Sequence, residues 1–183
     1  MLFSASKRRR EDAAVALLAD ACQSRRTTAV RLTSALQEHP RLPRRALLTE
    51  VLTDLATGSL SALERRYLRD VERAHGLPTA ARQRRVVAGR GPTYRDADYL
   101  GGRVVVELDG RVGHESAADR WADLDRDLES SVRGSTTVRV GWRQVLEPCR
   151  TAAVVAGILV ARGWSGGIRP CRRGCTALRP LAA

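Results

Sequence analysis

Between Tyr94 and His114 the chain reads Tyr-Arg-Asp-Ala-Asp-Tyr-Leu-Gly-Gly-Arg-Val-Val-Val-Glu-Leu-Asp-Gly-Arg-Val-Gly-His, and no other stretch restricts the fold as much. Two short strand-like runs flank Gly101-Gly102, a dipeptide that tolerates the positive φ angles of a two-residue hairpin turn. Counting outward from those glycines pairs Leu100 with Arg103, Tyr99 with Val104, Asp98 with Val105 and Asp96 with Glu107. Side chains alternate along a strand, so Asp109 joins Glu107 on one face while Val104, Val106 and Leu108 form the other. One face is expected to pack and the other to hold acid.

Carboxylates placed directly across a strand pair repel, and a cation relieves them. Asp96, Glu107 and Asp109 are hard oxygen ligands with no cysteine or paired histidine among them, which suits magnesium or manganese better than zinc. The alternatives are a solvated acidic face on an ordinary sheet and a register slip that separates the pair.

Around this hairpin the pattern is mixed. Residues 1–10 end in Lys7-Arg8-Arg9-Arg10 and read as a frayed basic start. Helical spacing follows over Glu11–Ala21 and Thr28–Gln37, before Pro40 and Pro43 interrupt the chain. Ala46–Thr57 repeats leucine and valine at helical spacing and stops at Gly58. Ser61-Ala62-Leu63-Glu64 opens the next helix as a capping box, and Gly76 closes it before Pro78. Glu64 falls near the middle of the apolar stripe made by Leu60, Leu63, Tyr67, Val71 and Ala74. A carboxylate there either reaches back to cap its own helix or serves a site.

Gln83–Ala88 is a predicted strand, with a turn at Gly89-Arg90-Gly91-Pro92. A helix from Ser116 to about Val132, a β-branched strand over Thr136–Val140 and a helix opened by Pro148 complete the chain. The expected class is α/β, with a core ordered as helix, three-stranded antiparallel hairpin sheet, helix, strand, helix. The expected organisation is an N-terminal helical segment over 1–42, the α/β domain over 43–165 and a C-terminal tail over 166–183. No P-loop, GxGxxG, GxSxG or HExxH pattern is present, which argues against nucleotide-binding, α/β-hydrolase and zincin classes.

Composition narrows the partners. The chain has 183 residues, 32 basic against 20 acidic, for a net charge of +12. A basic protein with a local acid cluster suits a polyanion handled at a metal site. Only Lys7 is lysine, so arginine-rich coding composition offers a second explanation of the charge. No apolar run is long enough to span a membrane and no cleavable signal follows the basic start, so a cytoplasmic location is expected. Cys22, Cys149, Cys171 and Cys175 are too scattered for a disulfide framework. Cys171 and Cys175 have the spacing of half a zinc site. With only two further cysteines and three scattered histidines to complete it, they are expected to hold no structural zinc.

These residues together resemble the very-short-patch-repair-like endonuclease domains, a branch of the PD-(D/E)XK nuclease superfamily with a restriction-endonuclease-like core. The similarity rests on Asp96, the run Val105-Val106-Glu107-Leu108-Asp109-Gly110 and His114. It extends to Ser61, Leu63, Glu64 and Gly76-Leu77-Pro78 upstream, to Arg126-Asp127 downstream, and to Gly163-Trp164 with Cys171 and Cys175 in the tail. It covers roughly residues 44 to 175, and its tail is of a kind common in actinobacterial members. Those usually carry a longer N-terminal region resembling abortive-infection antitoxins with a winged-helix head, of which only the last helices are expected here.

The resemblance implies metal-dependent hydrolysis of phosphodiester bonds in DNA. Asp96, Glu107 and the backbone carbonyl of Leu108 would hold Mg²⁺ or Mn²⁺, and Glu64 would steady the ion or its waters. The superfamily's motif lysine is replaced by Asp109. His114 is the nearest candidate for a general base, or else lines its loop against Asp109. Arg120 and Arg126 are candidate phosphate clamps. No small-molecule cofactor and no membrane partner is expected, and nothing fixes an oligomeric state, a homodimer included. The competing class is a catalytically degenerate nuclease fold acting as a DNA-binding, antitoxin or regulatory module.

Overall fold

In the computed structural model, residues 1–58, 61–88, 91–109 and 134–179 are described, without the side chains of residues 87, 88 and 91–93. Two compact units divide the chain: Met1–Arg65 with Gly110–His114, and Arg66–Asp109 with Glu115–Ala183.

The first unit is helical: α1 Leu2–Ser6, α2 Glu11–Gln23, α3 Ala29–Gln37, α4 Arg45–Thr57 and the start of α5, Ser61–Arg66. Helical spacing of small and branched apolar residues builds its core from Leu2, Ala5, Ala14, Leu18, Ala29, Leu32, Leu36, Leu42, Leu48 and Leu52. The basic start is therefore not frayed, since Leu2 and Ala5 are buried in that core, and residues 1–42 share a core with α4. Thr28 caps α3 by accepting the Arg31 N–H at 3.2 Å, and Gly58 ends α4 in the left-handed region at φ 65°.

The second unit continues from α5 as a π-helical stretch, Tyr67–Arg73, and the helix closes at Gly76, φ 70°. Its sheet follows, with β1 Ala81–Ala88, β2 Gly91–Tyr99, β3 Val104–Leu108 and β4 Thr136–Val140 in the order β1-β2-β3-β4. The first three strands are antiparallel as expected, but β4 pairs in parallel with β3. The sheet is therefore four-stranded and mixed, which corrects the expected three-stranded antiparallel sheet. Among the described residues the unit also holds the short α6, Trp142–Val145, and the 14-residue α7, Pro148–Ala161, with Pro148 at the start of α7 where its missing N–H is not needed. Among the described residues no helix is long and apolar enough to cross a membrane.

The hairpin register matches the count made from the sequence: Tyr99 faces Val104, Asp98 faces Val105, and Ala97 faces Val106. The turn differs. Leu100, Gly101 and Gly102 form a 3-10 turn with φ 53°, 68° and 97°, so Leu100 and Arg103 belong to the loop and not the ladder. The loop is symmetric about the two glycines, and lengthening it at both ends leaves the register unchanged. The turn expected at Gly89–Pro92 also shifts, because Gly91 and Pro92 pair within the β1–β2 ladder.

Candidate functional site

Two clusters in the second unit carry chemistry. The first lies where the hairpin strands separate. The β2–β3 ladder ends at Ala97 and Val106; beyond it β2 continues with β1, and β3 with β4. One step past that end, the count sets Asp96 opposite Glu107. The Asp96 carboxylate occupies the fork: Oδ2 accepts the backbone N–H of Leu108 at 2.8 Å, and Oδ1 accepts from Gln83 at 3.2 Å. Glu107 is paired across the parallel ladder with Arg139, whose Nε stands 3.6 Å from Oε2. Both acids are half-buried, as is Asp109.

The back of this sheet packs as expected, with Ala97, Tyr99, Val104, Val106 and Leu108 all buried. The acidic face is not uniformly wet. At its inner end Val105 and Asp98 are buried, and Asp98 is clamped through Oδ2 by Arg95 at 3.0 Å and Arg84 at 3.3 Å. Its Oδ1 is buried with no hydrogen-bond partner among the described residues.

Behind the sheet, Glu72 on the π-helical stretch is 2% exposed. It accepts the Tyr99 hydroxyl and the Arg82 guanidinium, each at 2.6 Å. The Tyr67 hydroxyl lies 3.1 Å from that of Tyr99, and Arg82 stacks 5.6 Å over the Tyr67 ring. Burial drives both phenols well above their ordinary range, with Glu72's charge adding to the shift. Sequence reasoning missed this network because a glutamate beside the apolar stripe looks solvated until Arg82 and Tyr99 reach it.

Glu64 lies in the first unit, on the first turn of α5, and is half-exposed. At the same helix end, the buried Asp54 carboxylate accepts the N–H groups of Ala62 at 3.1 Å and Leu63 at 3.2 Å. This cap from the preceding helix was not legible in the local Ser-x-x-Glu pattern. His114, Arg120 and Arg126 lie outside the described residues, as do Asp127 and the helix expected over 116–132.

The second cluster is the one the sequence was expected not to build. His75, Cys149, Cys171 and Cys175 converge, with one imidazole nitrogen and three sulfurs within 4.8 Å of one another. This group could hold a metal ion. Searches of family models, curated proteins and solved structures return no match to the chain.

Cys171 and Cys175 were expected to hold no structural zinc because two further ligands were not evident, and the structure brings Cys149 and His75 to them. Cys149 Sγ lies 3.6 Å from Cys171 Sγ and 3.5 Å from Cys175 Sγ. Burial works to raise the Cys175 thiol, but the Ala177 N–H, a Cys171 backbone bond and the neighbouring thiols outweigh it, lowering it to about 6. Cys171 is pushed up to about 11 by burial and by its bonds to the other two sulfurs. Two local signals pointed this way: the C-x-x-x-C spacing, and Pro148-Cys149 at a helix start, where the positive end of the helix favours a thiolate.

Proposed function

We propose that the second unit is a metal-dependent phosphodiester hydrolase acting on DNA, built on a restriction-endonuclease-like core. The observation that carries the reading is the fork, where β2 and β3 part at Asp96 and Glu107 with the Leu108 backbone beside them.

Carboxylate and carbonyl oxygens are the donor chemistry of a hard divalent ion, and it is this chemistry that supports the reading. Asp96 spends one bond on the Leu108 N–H and one on Gln83, and an ionised carboxylate has about four acceptor positions. Glu107 meets Arg139 at 3.6 Å. Asp96, Glu107 and the Leu108 carbonyl would hold Mg²⁺ or Mn²⁺, which would polarise the scissile phosphate and lower the pKa of a bound water.

Arg139 supplies the cation that Asp109 cannot. It stands directly beside Glu107 in the parallel ladder. A guanidinium stays protonated, so its part is to bind phosphate and stabilise developing charge, and it cannot act as a base. Arg139 also lines a largely apolar groove, with Val138, Val140, Val154 and Val155, whose other arginines, Arg143 and Arg150, are candidate phosphate contacts.

The test is nicking of supercoiled plasmid with Mg²⁺ or Mn²⁺. Wild type should nick, Asp96→Asn and Glu107→Gln should not, and Arg139→Ala should be slowed at least tenfold, roughly the loss of one charge-stabilising contact. Cleavage unchanged in Asp96→Asn would refute the reading. DNA binding without any metal-dependent cleavage would favour the regulatory module.

A further inference from the structure

We propose that His75, Cys149, Cys171 and Cys175 form a closed structural zinc site that fastens the C-terminal segment to the end of the π-helical stretch. This inference is independent of the nuclease reading.

The histidine decides between a metal site and a mere cluster of thiols. His75 is fully buried, with Nδ1 3.1 Å from the carbonyl oxygen of Val71. That carbonyl can only accept, so Nδ1 carries the proton and Nε2 presents its lone pair. Nε2 is buried with no hydrogen-bond partner among the described residues. A buried acceptor left without a donor is destabilising. A metal ion satisfies it, and an N–H bound to a backbone carbonyl is the usual outer support of a zinc-bound imidazole.

The sulfurs fit the same ion. Tetrahedral zinc with Zn–S bonds of about 2.3 Å sets its sulfurs about 3.8 Å apart. The observed separations from Cys149 are 3.6 and 3.5 Å. The widest ligand separation is 4.8 Å, so closure asks for movements of only about 1 Å. Three cysteines and one histidine fill all four positions, leaving none for water or substrate, which marks the site as structural. Soft thiolate donors select zinc over the hard ion suited to Asp96 and Glu107. As zinc binds, each coordinating thiol gives its proton to solvent.

The ligands come from three places in the chain: the end of the long helix, the first turn of α7, and the segment after residue 162, which forms no further helix or strand among the described residues. That segment already touches the helix end, with Arg169 N–H donating to the His75 carbonyl at 2.8 Å and its guanidinium to the Arg73 carbonyl at 3.0 Å. Ala177 is buried, and its N–H donates to Cys175 Sγ at 3.5 Å. Most of this irregular segment is exposed, and a metal cross-link would fasten it.

The experiment uses the full chain expressed with added zinc. One zinc per chain is expected after desalting. Exchange into cobalt(II) should give the strong visible bands of a tetrahedral ion and near-ultraviolet thiolate charge transfer, reduced by about one-third in Cys175→Ser, which keeps two of three thiolates. Should that variant fail to fold, the wild-type spectrum and protease sensitivity carry the test. Arg172 and Arg173 are exposed between two of the ligands. Trypsin should cut there on the order of tenfold faster once a chelator removes the zinc. Soluble, folded protein that takes up no stoichiometric zinc after reduction, a weak octahedral cobalt spectrum, or cleavage at Arg172 and Arg173 indifferent to zinc would each overturn the proposal.

Discussion

The Asp96 carboxylate accepts the backbone N–H of Leu108 at 2.8 Å, so the acid of the candidate site also closes the strand fork that presents it. The two roles separate by substitution. Asp96→Asn keeps an oxygen for Leu108 and removes the charge, and should leave metal-free stability within about 0.5 kcal/mol of wild type. Asp96→Ala strands the Leu108 N–H and should cost about 1–2 kcal/mol. Urea unfolding of both variants in chelator checks this, and equal losses would mean that charge and not the acceptor matters at the fork.

Burial and Glu72 hold the Tyr67 and Tyr99 phenols above their ordinary value of 10.0. Above about pH 10 the unfolded chain therefore releases phenolic protons that the folded chain retains. The stabilisation is complete below that pH and declines as pH rises past it, by about 1.4 kcal/mol per unit for each tyrosine. Stability measured from pH 8 to 11 should fall more gently in Tyr99→Phe than in wild type. An equally steep fall in both would place the alkaline transition elsewhere.

Asp54 is shifted in the same direction at a helix end. Burial raises its carboxyl above the usual 3.8, while the Ala62 and Leu63 N–H groups pull it down without fully compensating. Its proton is held more tightly in the folded state, so stability falls as pH rises from about 3.8 through the raised value. Asp54→Asn keeps an acceptor and should flatten that decline. Asp54→Ala leaves two N–H groups without their acceptor and should cost about 1–2 kcal/mol at pH 7. Thermal unfolding of both variants from pH 4 to 7 distinguishes them.

What the sequence revealed and what it hid follow from the range of the interactions. Helical spacing located α2, α3, α4 and α7 because their stripes are local, and Gly58 and Gly76 marked helix ends through positive φ. The hairpin register was legible although its turn was misjudged, since Leu100 and Arg103 leave the ladder symmetrically. The parallel partnership of β4 with β3 was not, because a β-branched run fits either direction. Arg139 became a candidate only once that pairing set it beside Glu107. The His75 cluster stayed hidden for a related reason: its ligands lie far apart in sequence, and only folding shows that Nε2 of His75 has no hydrogen-bond partner among the described residues.

Should the groove beside Arg139 follow a DNA backbone, its arginines contribute by releasing counterions. Arg143→Ala should weaken binding similarly for unrelated sequences and reduce the slope of log affinity against log salt by about one. Fluorescence anisotropy on two unrelated duplexes over a salt series checks this. An unchanged slope would remove Arg143 from the interface.

The central claim is that Asp96 and Glu107 share a hard divalent ion, and metal-dependent stability tests it without knowledge of the substrate. Thermal unfolding of wild type, Asp96→Asn and Glu107→Gln is measured with and without Mn²⁺, each protein carrying the same zinc content. Wild type should gain about 2.7 kcal/mol when the free ion is at about a hundred times its dissociation constant, and each variant should lose most of that gain. A wild type whose stability does not respond to Mn²⁺, or variants that respond as wild type does, would contradict the account.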